Sequence, residues 1–374
     1  MIDHHAHPFD LEPGPLDLGP LSLDLDDGPE AESRRARLRP SYLWHELLVT
    51  RLARHLGCPP DDVAETRAER SADYRTYVRG LFADAGITEI LMDPAWPAGL
   101  PDVAGRYAEV TGCRVNLLYR IDPLVDRLLE AGASFAELVR DFDRALDEAR
   151  AAGFVGLKTI VAYRTGLAID PDVTAAGAEA SLAEDAPVRR RAKPLRDFLV
   201  RRALQFAADA SVPLQVHTGF GDSDIRLAES NPLLLEAVLR TPEGRAAPVV
   251  LIHGGYPFHE EVAYLATARP NVHVDFSLFN VFAPSLVADR LLRLVELAPT
   301  AKLLAGTDGF ALPETYWFAA HVARAAWETV GATLRSQGVR ADWFERVTTD
   351  VFGDNARRLY HLPETLEVRG DRTR

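Results

Sequence analysis

The segment "IDHHAHPFD", residues 2–10, places His4, His5 and His7 within four positions. Imidazole fills a core poorly and binds zinc and neighbouring first-row divalent ions well. On an extended strand, residues two apart face the same side, so His5 and His7 converge while His4 turns away. His4 is therefore expected to pack or to support the pair from behind, and Asp3 to orient a neighbour. Three further apolar runs end in similar side chains: "LQVHTG" at His217, "VLIHGG" at His253 and "LLAGTDG" at Asp308. Taken singly, a strand-end His is usually a hydrogen-bonded structural residue, and Thr-Asp-Gly is usually a turn. Taken together, imidazoles and a carboxylate with the same polarity along their strands point to a metal site.

Positioning such a set needs strands that all finish on one side. Eight short apolar runs serve: "MIDHHAH", "TEILMDP", "RVNLLYRID", "FVGLKTIVAYR", "PLQVHTG", "PVVLIHGG", "NVHVDFS" and "AKLLAGTDG". Helical patterns such as "SFAELVRDFDRALDEARAAG", "LRDFLVRRALQFAADA" and "PSLVADRLLRLVELAP" lie between them. Nearly continuous apolar strands alternating with helices predict a parallel sheet covered by helices, and eight units predict closure into an α/β (β/α)8 barrel of the TIM type. No Gly-rich phosphate loop follows an early strand, as an open dinucleotide-binding sheet would show. Two helical insertions are expected on the strand-end face, over about residues 10–85 after strand one and 165–193 after strand four. In the first, "SYLWHELLVTRLARHLG" reads as a helix with Ser41 as N-cap and Gly57 as stop, and "RSADYRTYVRGLFADAG" as a second helix. No boundary for a separate domain is visible, so residues 1–374 are read as one barrel domain.

Several rim residues bear on the chemistry. Lys158 lies inside strand four, where a buried ammonium is costly without a partner. It could bind a substrate carboxylate as a cation, or reach the rim or an interior acid. Arg120 and Arg164 follow strands three and four and could grip a carboxylate bidentately or form structural ion pairs. Tyr163, Thr218, Asp222 and Tyr256 share these segments, whereas Trp44 and Trp317 read as core or lid aromatics. His45, His55, His259, His273, His321 and His361 lie in helical patterns or off the rim.

The His-x-His of strand one, the single histidines after strands five and six, and the aspartate after strand eight resemble the amidohydrolase superfamily. More narrowly, the closing "VFGDNARRLYHL" and the segments "VGLKTIVAYRTGL", "VHTGFGD" and "LIHGGYPF" are similar to the amidohydrolase-2 branch, in particular to the amidohydrolase domain of FluG-type proteins. The resemblance spans essentially the whole chain. It implies that His5, His7, His217 and Asp308 bind one divalent ion, zinc or else manganese or iron. It also implies that Asp308 handles the proton of an activated water, and that His253 bonds the nucleophile or polarises the scissile group. The resemblance also implies a binuclear alternative, in which a carboxylated Lys158 bridges two ions and His217 and His253 hold the second. The implied activity is hydrolysis of a C–N bond, amide-type, in a small carboxylate-bearing metabolite, with Arg120, Arg164 and Tyr163 reading the substrate. A decarboxylase or sugar-acid isomerase of the same branch, and a barrel that has lost catalysis for a structural role, are the alternatives.

Composition sets outer bounds. The 374 residues carry 55 acidic against 42 basic side chains, a net charge of −13, which disfavours nucleic acid as a partner. The basic run Arg189–Lys193 is short and reads as a solvated approach to a helix. Two cysteines, Cys58 and Cys113, make no disulfide framework. No apolar run reaches the roughly 18 residues of a membrane span, and no signal segment opens the chain. A cytoplasmic protein acting on a small molecule, with a homodimer as the default assembly, is expected.

Overall fold

The computed structural model describes residues 1–24, 26, 28–95 and 102–364. The expected span of one domain therefore extends, at residues 365–374, outside the described residues, as do small parts of the first insertion.

Eight strands form one sheet in chain order: β1 (Ile2–Ala6), β2 (Glu89–Met92), β3 (Arg114–Arg120), β4 (Gly156–Thr159), β5 (Leu214–His217), β6 (Val249–Ile252), β7 (Val272–Asp275) and β8 (Leu303–Leu304). Each adjacent pair is parallel. The seam closes by backbone hydrogen bonds, His4 N to Ala305 O at 3.2 Å, Asp308 N to His5 O at 2.9 Å and His7 N to Gly309 O at 2.8 Å. The result is a nearly closed (β/α)8 barrel. β2, β4, β5 and β6 are buried at every position, as strands covered by helices on one side and lining a packed interior on the other must be.

At the end opposite the strand termini, Ile2, Leu91, Leu118, Val250, Ile252 and Leu304 pack with Ala356, Tyr360 and Leu362. The C-terminal segment thus plugs the barrel. Its Asn355 Nδ2 donates to the carbonyls of Thr300 and Leu303, each at 2.8 Å, which pins the plug to the last strand.

Helices occupy the two stretches read as insertions, between β1 and β2 and between β4 and β5. The first carries helices Ala31–Leu38, Leu43–Leu56, Val63–Arg70 and Tyr74–Asp84, and the second Ala175–Leu182 and Val188–Arg191. Gly57 ends its helix at φ 76°, the left-handed geometry that glycine adopts without steric cost. The expected Ser41 cap is corrected. Ser41 ends a short 3-10 turn in which its hydroxyl donates to Leu38 O, and the helix starts one residue later, after Tyr42 with no side-chain cap. Asp73 caps the following helix through Thr76 N. Arg67 ties this insertion to the barrel: its Nε donates to Glu314 Oε1 at 2.7 Å, where Tyr77 Oη also donates at 2.7 Å. Both Arg67 and Glu314 are buried. Trp44 packs edge-on against Phe282, and Trp317 donates to Asp84, so both serve the packing of the insertion.

Candidate metal centre and active site

β1 bears a register irregularity between Asp3 and Ala6, and His5 within it and His7 just after it present their rings at 5.1 Å, edge to face. Nε2 of His5 stands 3.0 Å, and Nε2 of His7 3.4 Å, from Oδ1 of Asp308. The His7 Nδ1 lies 3.2 Å from the carbonyl oxygen of Asp93. A carbonyl only accepts, so Nδ1 carries the proton and Nε2 turns a lone pair toward Asp308. Asp308 itself sits at φ 52°. Asp3 accepts from the backbone N of Thr307 at 2.8 Å and from its hydroxyl, so the expectation that Asp3 orients a neighbour resolves into anchoring the turn that carries Asp308.

His253 follows β6 at φ 69°. Its Nδ1 lies 2.8 Å from Ser277 Oγ and 4.0 Å from Asp308 Oδ2, and its Nε2 lies 3.0 Å from Nδ1 of His217. Nε2 of His217 meets the carbonyl of Phe220 at 3.0 Å. Among the described residues, the donor group that closes within 4.8 Å is His5, His253 and Asp308. His7 joins it through Asp308. His217, which the sequence places in the same shell, lies against it through His253.

Behind the imidazoles is a layer that sequence reasoning missed. Asp275, the last residue of β7, receives His4 Nε2 at 2.8 Å on one oxygen and the backbone N of His253 on the other. His4 thus supports the site from behind as expected, and Tyr360 Oη reaches it at 3.3 Å, itself bonded by Gln215 at 2.7 Å. Asp93, just beyond β2, is paired with Arg120 at 2.7 Å. The signal for both aspartates was present, since each ends an apolar run with the polarity that singled out Asp308.

Burial dominates the electrostatics. It pushes His5, His217 and His253 well below the ordinary imidazole range, with the Lys158 ammonium adding to the effect at each. Burial alone would raise the Asp93 carboxyl, but Arg120 and His7 beside it hold it well below the carboxylate range. The Asp308 carboxyl is raised, first by burial. Neutral imidazoles around one buried carboxylate form a donor set for a divalent cation. Oδ1 of Asp308 makes no hydrogen bond within the described residues and faces Nε2 of both His5 and His7, an arrangement that fits such an ion.

Lys158 is buried, with Nζ 3.2 Å from Nε2 of His5 and its ammonium lowered to about 8, chiefly by burial. It forms no ion pair with any described acid, and Asp93, Asp308 and Asp275 oppose the effect of burial on it only from longer range. Arg120 and Arg164 both form ion pairs, Arg164 with Asp126 at 2.9 Å. Even so, Arg120, Lys158, Tyr163, Arg164, His217 and His253 all line one cavity of about 230 Å³, with Asp308 on its wall. Tyr163 lies edge-on to His217, ring centres 4.6 Å apart. A side chain at position 221 would collide with the Tyr163 hydroxyl, so Gly221 keeps the cavity open. Asp222 also lines it, whereas Thr218 is buried with its hydroxyl on Ile252 O and Tyr256 packs outside.

The Amidohydrolase family model (Amidohydro_2) matches residues 2–362. The chain belongs to the amidohydrolase family. It is 34% identical to the protein fluG of Emericella nidulans over 97% of its own length, and it spans about half the length of that relative, 46%. A crystal structure from Lactobacillus casei, assigned as a metal-dependent hydrolase, superposes with a TM-score of 0.82 at 28% identity, covering 96% of this chain and 94% of that one. A uronate isomerase from Thermotoga maritima shares the fold at a TM-score of 0.66 and 14% identity, with 96% and 94% covered. Among the described residues, no helix of this amidohydrolase is long and apolar enough to cross a membrane.

Proposed function

We propose that this amidohydrolase cleaves a C–N bond, an amide, in a small metabolite bearing a carboxylate. The observation that carries the reading is the convergence of His5, His7 and His253 on Asp308, at the wall of a cavity floored by Lys158. His5, His7 and Asp308 would hold one divalent ion, zinc or else manganese or iron, with a further donor from the His217–His253 pair. The ion supplies a Lewis acid and lowers the pKa of water in the site. A cation there also offsets the burial cost of the Asp308 carboxylate.

The side chains then divide the work. Asp308 accepts the proton of the attacking water at a carboxylate oxygen and returns it to the departing amine nitrogen. His253 and His217 face one another across 3.0 Å, and His253 would polarise the scissile carbonyl as charge builds on its oxygen. Lys158 meets the substrate carboxylate, and Arg120 and Arg164 contribute positive field from their ion pairs. Tyr163, over His217, closes the wall. On this reading the substrate is a small molecule, the net charge of −13 disfavours nucleic acid, and the enzyme works in the cytoplasm, with a homodimer as the default assembly.

Metal analysis of the purified protein, with a screen of N-acyl and γ-glutamyl amides for ammonia or amine release, tests the reading. One ion per chain with amine release is expected. A protein that retains its ion but releases CO₂ from carboxylates, or interconverts sugar acids, without cleaving any amide would refute the hydrolytic reading. An intact mass showing carboxylated Lys158 with two ions would replace the single-ion form.

A further inference from the structure

The cavity has a wall of opposite charge to its floor. Asp222 and Asp224 line it, and neither belongs to any ion pair among the described residues, whose bridges take up Arg120 with Asp93, Arg164 with Asp126 and Arg189 with Glu229. The segment is fixed rather than loose. Asp222 N donates to the Tyr163 hydroxyl at 3.2 Å, and Ser223 N donates to Leu23 O at 2.6 Å, which clips it to the strap from the first insertion. Pro20, Ser22 and Leu23 of that strap line the same cavity. Among the described residues the buried Lys158 ammonium likewise forms no ion pair with a carboxylate.

A buried or half-buried charge without a counter-ion is costly, and two of opposite sign at separate places on one cavity are both relieved by a ligand charged oppositely at its two ends. The Asp222 carboxyl shows the cost, raised to about 7 by burial and then by Asp224 and Asp308. Ile160, Leu278, Phe282 and Phe310 line the same cavity and suit a short hydrocarbon spacer.

We propose that Asp222, with Asp224, is a specificity site for an ammonium group, so that the substrate carries a cation at one end and its carboxylate at the other. The placement of the anionic end rests on the function proposed above. The cationic subsite is the new element.

The test uses the metal-loaded protein and direct calorimetric binding. The probes are the ω-amino acids from 4-aminobutanoate to 7-aminoheptanoate, each paired with the fatty acid in which a methyl replaces the ammonium. For at least one length the amino acid is expected to bind about tenfold or more tightly than its methyl partner. That preference is expected to vanish in D222N/D224N, while the fatty acids bind the variant as they bind the wild type. The fatty-acid arm checks that the variant is folded. A preference at no length, or one that survives in the variant, overturns the proposal. Because no bond is cleaved in this assay, its outcome is separate from that of the amide screen.

Discussion

Nε2 of His5 stands 3.0 Å from Oδ1 of Asp308, across the seam where the first strand meets the segment after the last. No hydrogen bond satisfies that oxygen within the described residues. Two groups from opposite ends of the chain, both withdrawn from water and facing one another, store repulsion that a cation converts into attraction. Metal binding is therefore expected to hold the barrel closed as well as to equip its site.

The expected consequence is a metal-linked stability. Titrating zinc into chelator-treated protein should raise the melting temperature, with about 2.7 kcal/mol gained at a hundredfold excess over Kd. In His5→Ala and Asp308→Asn the metal content should fall well below that of the wild type and the thermal gain should disappear. An undiminished zinc response in both variants would remove these residues from the ligand set.

Asp275 supports the site without facing the cavity. It bonds His4 on one side and the backbone of His253 on the other, and its carboxylate is kept below the usual range, against the push of burial, by the His4 contact. Asp275→Asn keeps the volume and loses the charge. Supporting groups of this kind typically contribute 10–100-fold to metal affinity or activity, so a loss of about that size is expected in metal Kd and in kcat/KM. A merely structural role would lower the melting temperature while leaving metal affinity unchanged.

The barrel was legible because each strand is a short apolar run and each run ends in a residue no core would choose. His5, His7, His217, His253 and Asp308 carry that signal. So do Asp93 and Asp275, but their partners do not: Arg120 is recognisable as a partner only once β2 lies beside β3, and His4 only once closure of the barrel brings β1 within reach of β7. His217 shows the other limit. Its position at the end of β5 is plain in sequence, yet whether its ring meets an ion or the neighbouring His253 depends on ring rotation, which spacing does not encode. Ser41 failed as a cap for a local reason, since a 3-10 turn containing Pro40 captured its hydroxyl and the helix began only after Tyr42.

The insertion after β1 hangs on Arg67. Its guanidinium is paired with Glu314, fully buried at the start of helix Pro313–Ser336, and also reaches the carbonyl of Gly14. Removing one partner of a buried pair leaves the other charge unpaired and typically costs about 3–5 kcal/mol. Arg67→Ala should lower stability to urea by that order, whereas a variant replacing both, Arg67→Met with Glu314→Gln, should recover part of it. Equal losses in the single and double variants would show that packing, rather than the unpaired charge, sets the cost.

Acid stability offers a test away from the metal. Burial pushes the imidazoles of His259 and His273 down to about 4, with Arg290 adding to it at the first and Lys302 at the second, and Glu260 opposing at His259. In the unfolded chain both titrate near the ordinary value of about 6.5. Between those limits the unfolded state binds more protons, so stability is full above about pH 6.5 and is lost as the pH falls toward 4. A shift of this size corresponds to on the order of 3 kcal/mol for each ring. Urea midpoints of the chelator-treated protein from pH 7 to 4 should therefore decline, and the decline should be shallower in His259→Gln/His273→Gln. Parallel profiles for wild type and variant would mean that these rings do not carry the acid sensitivity.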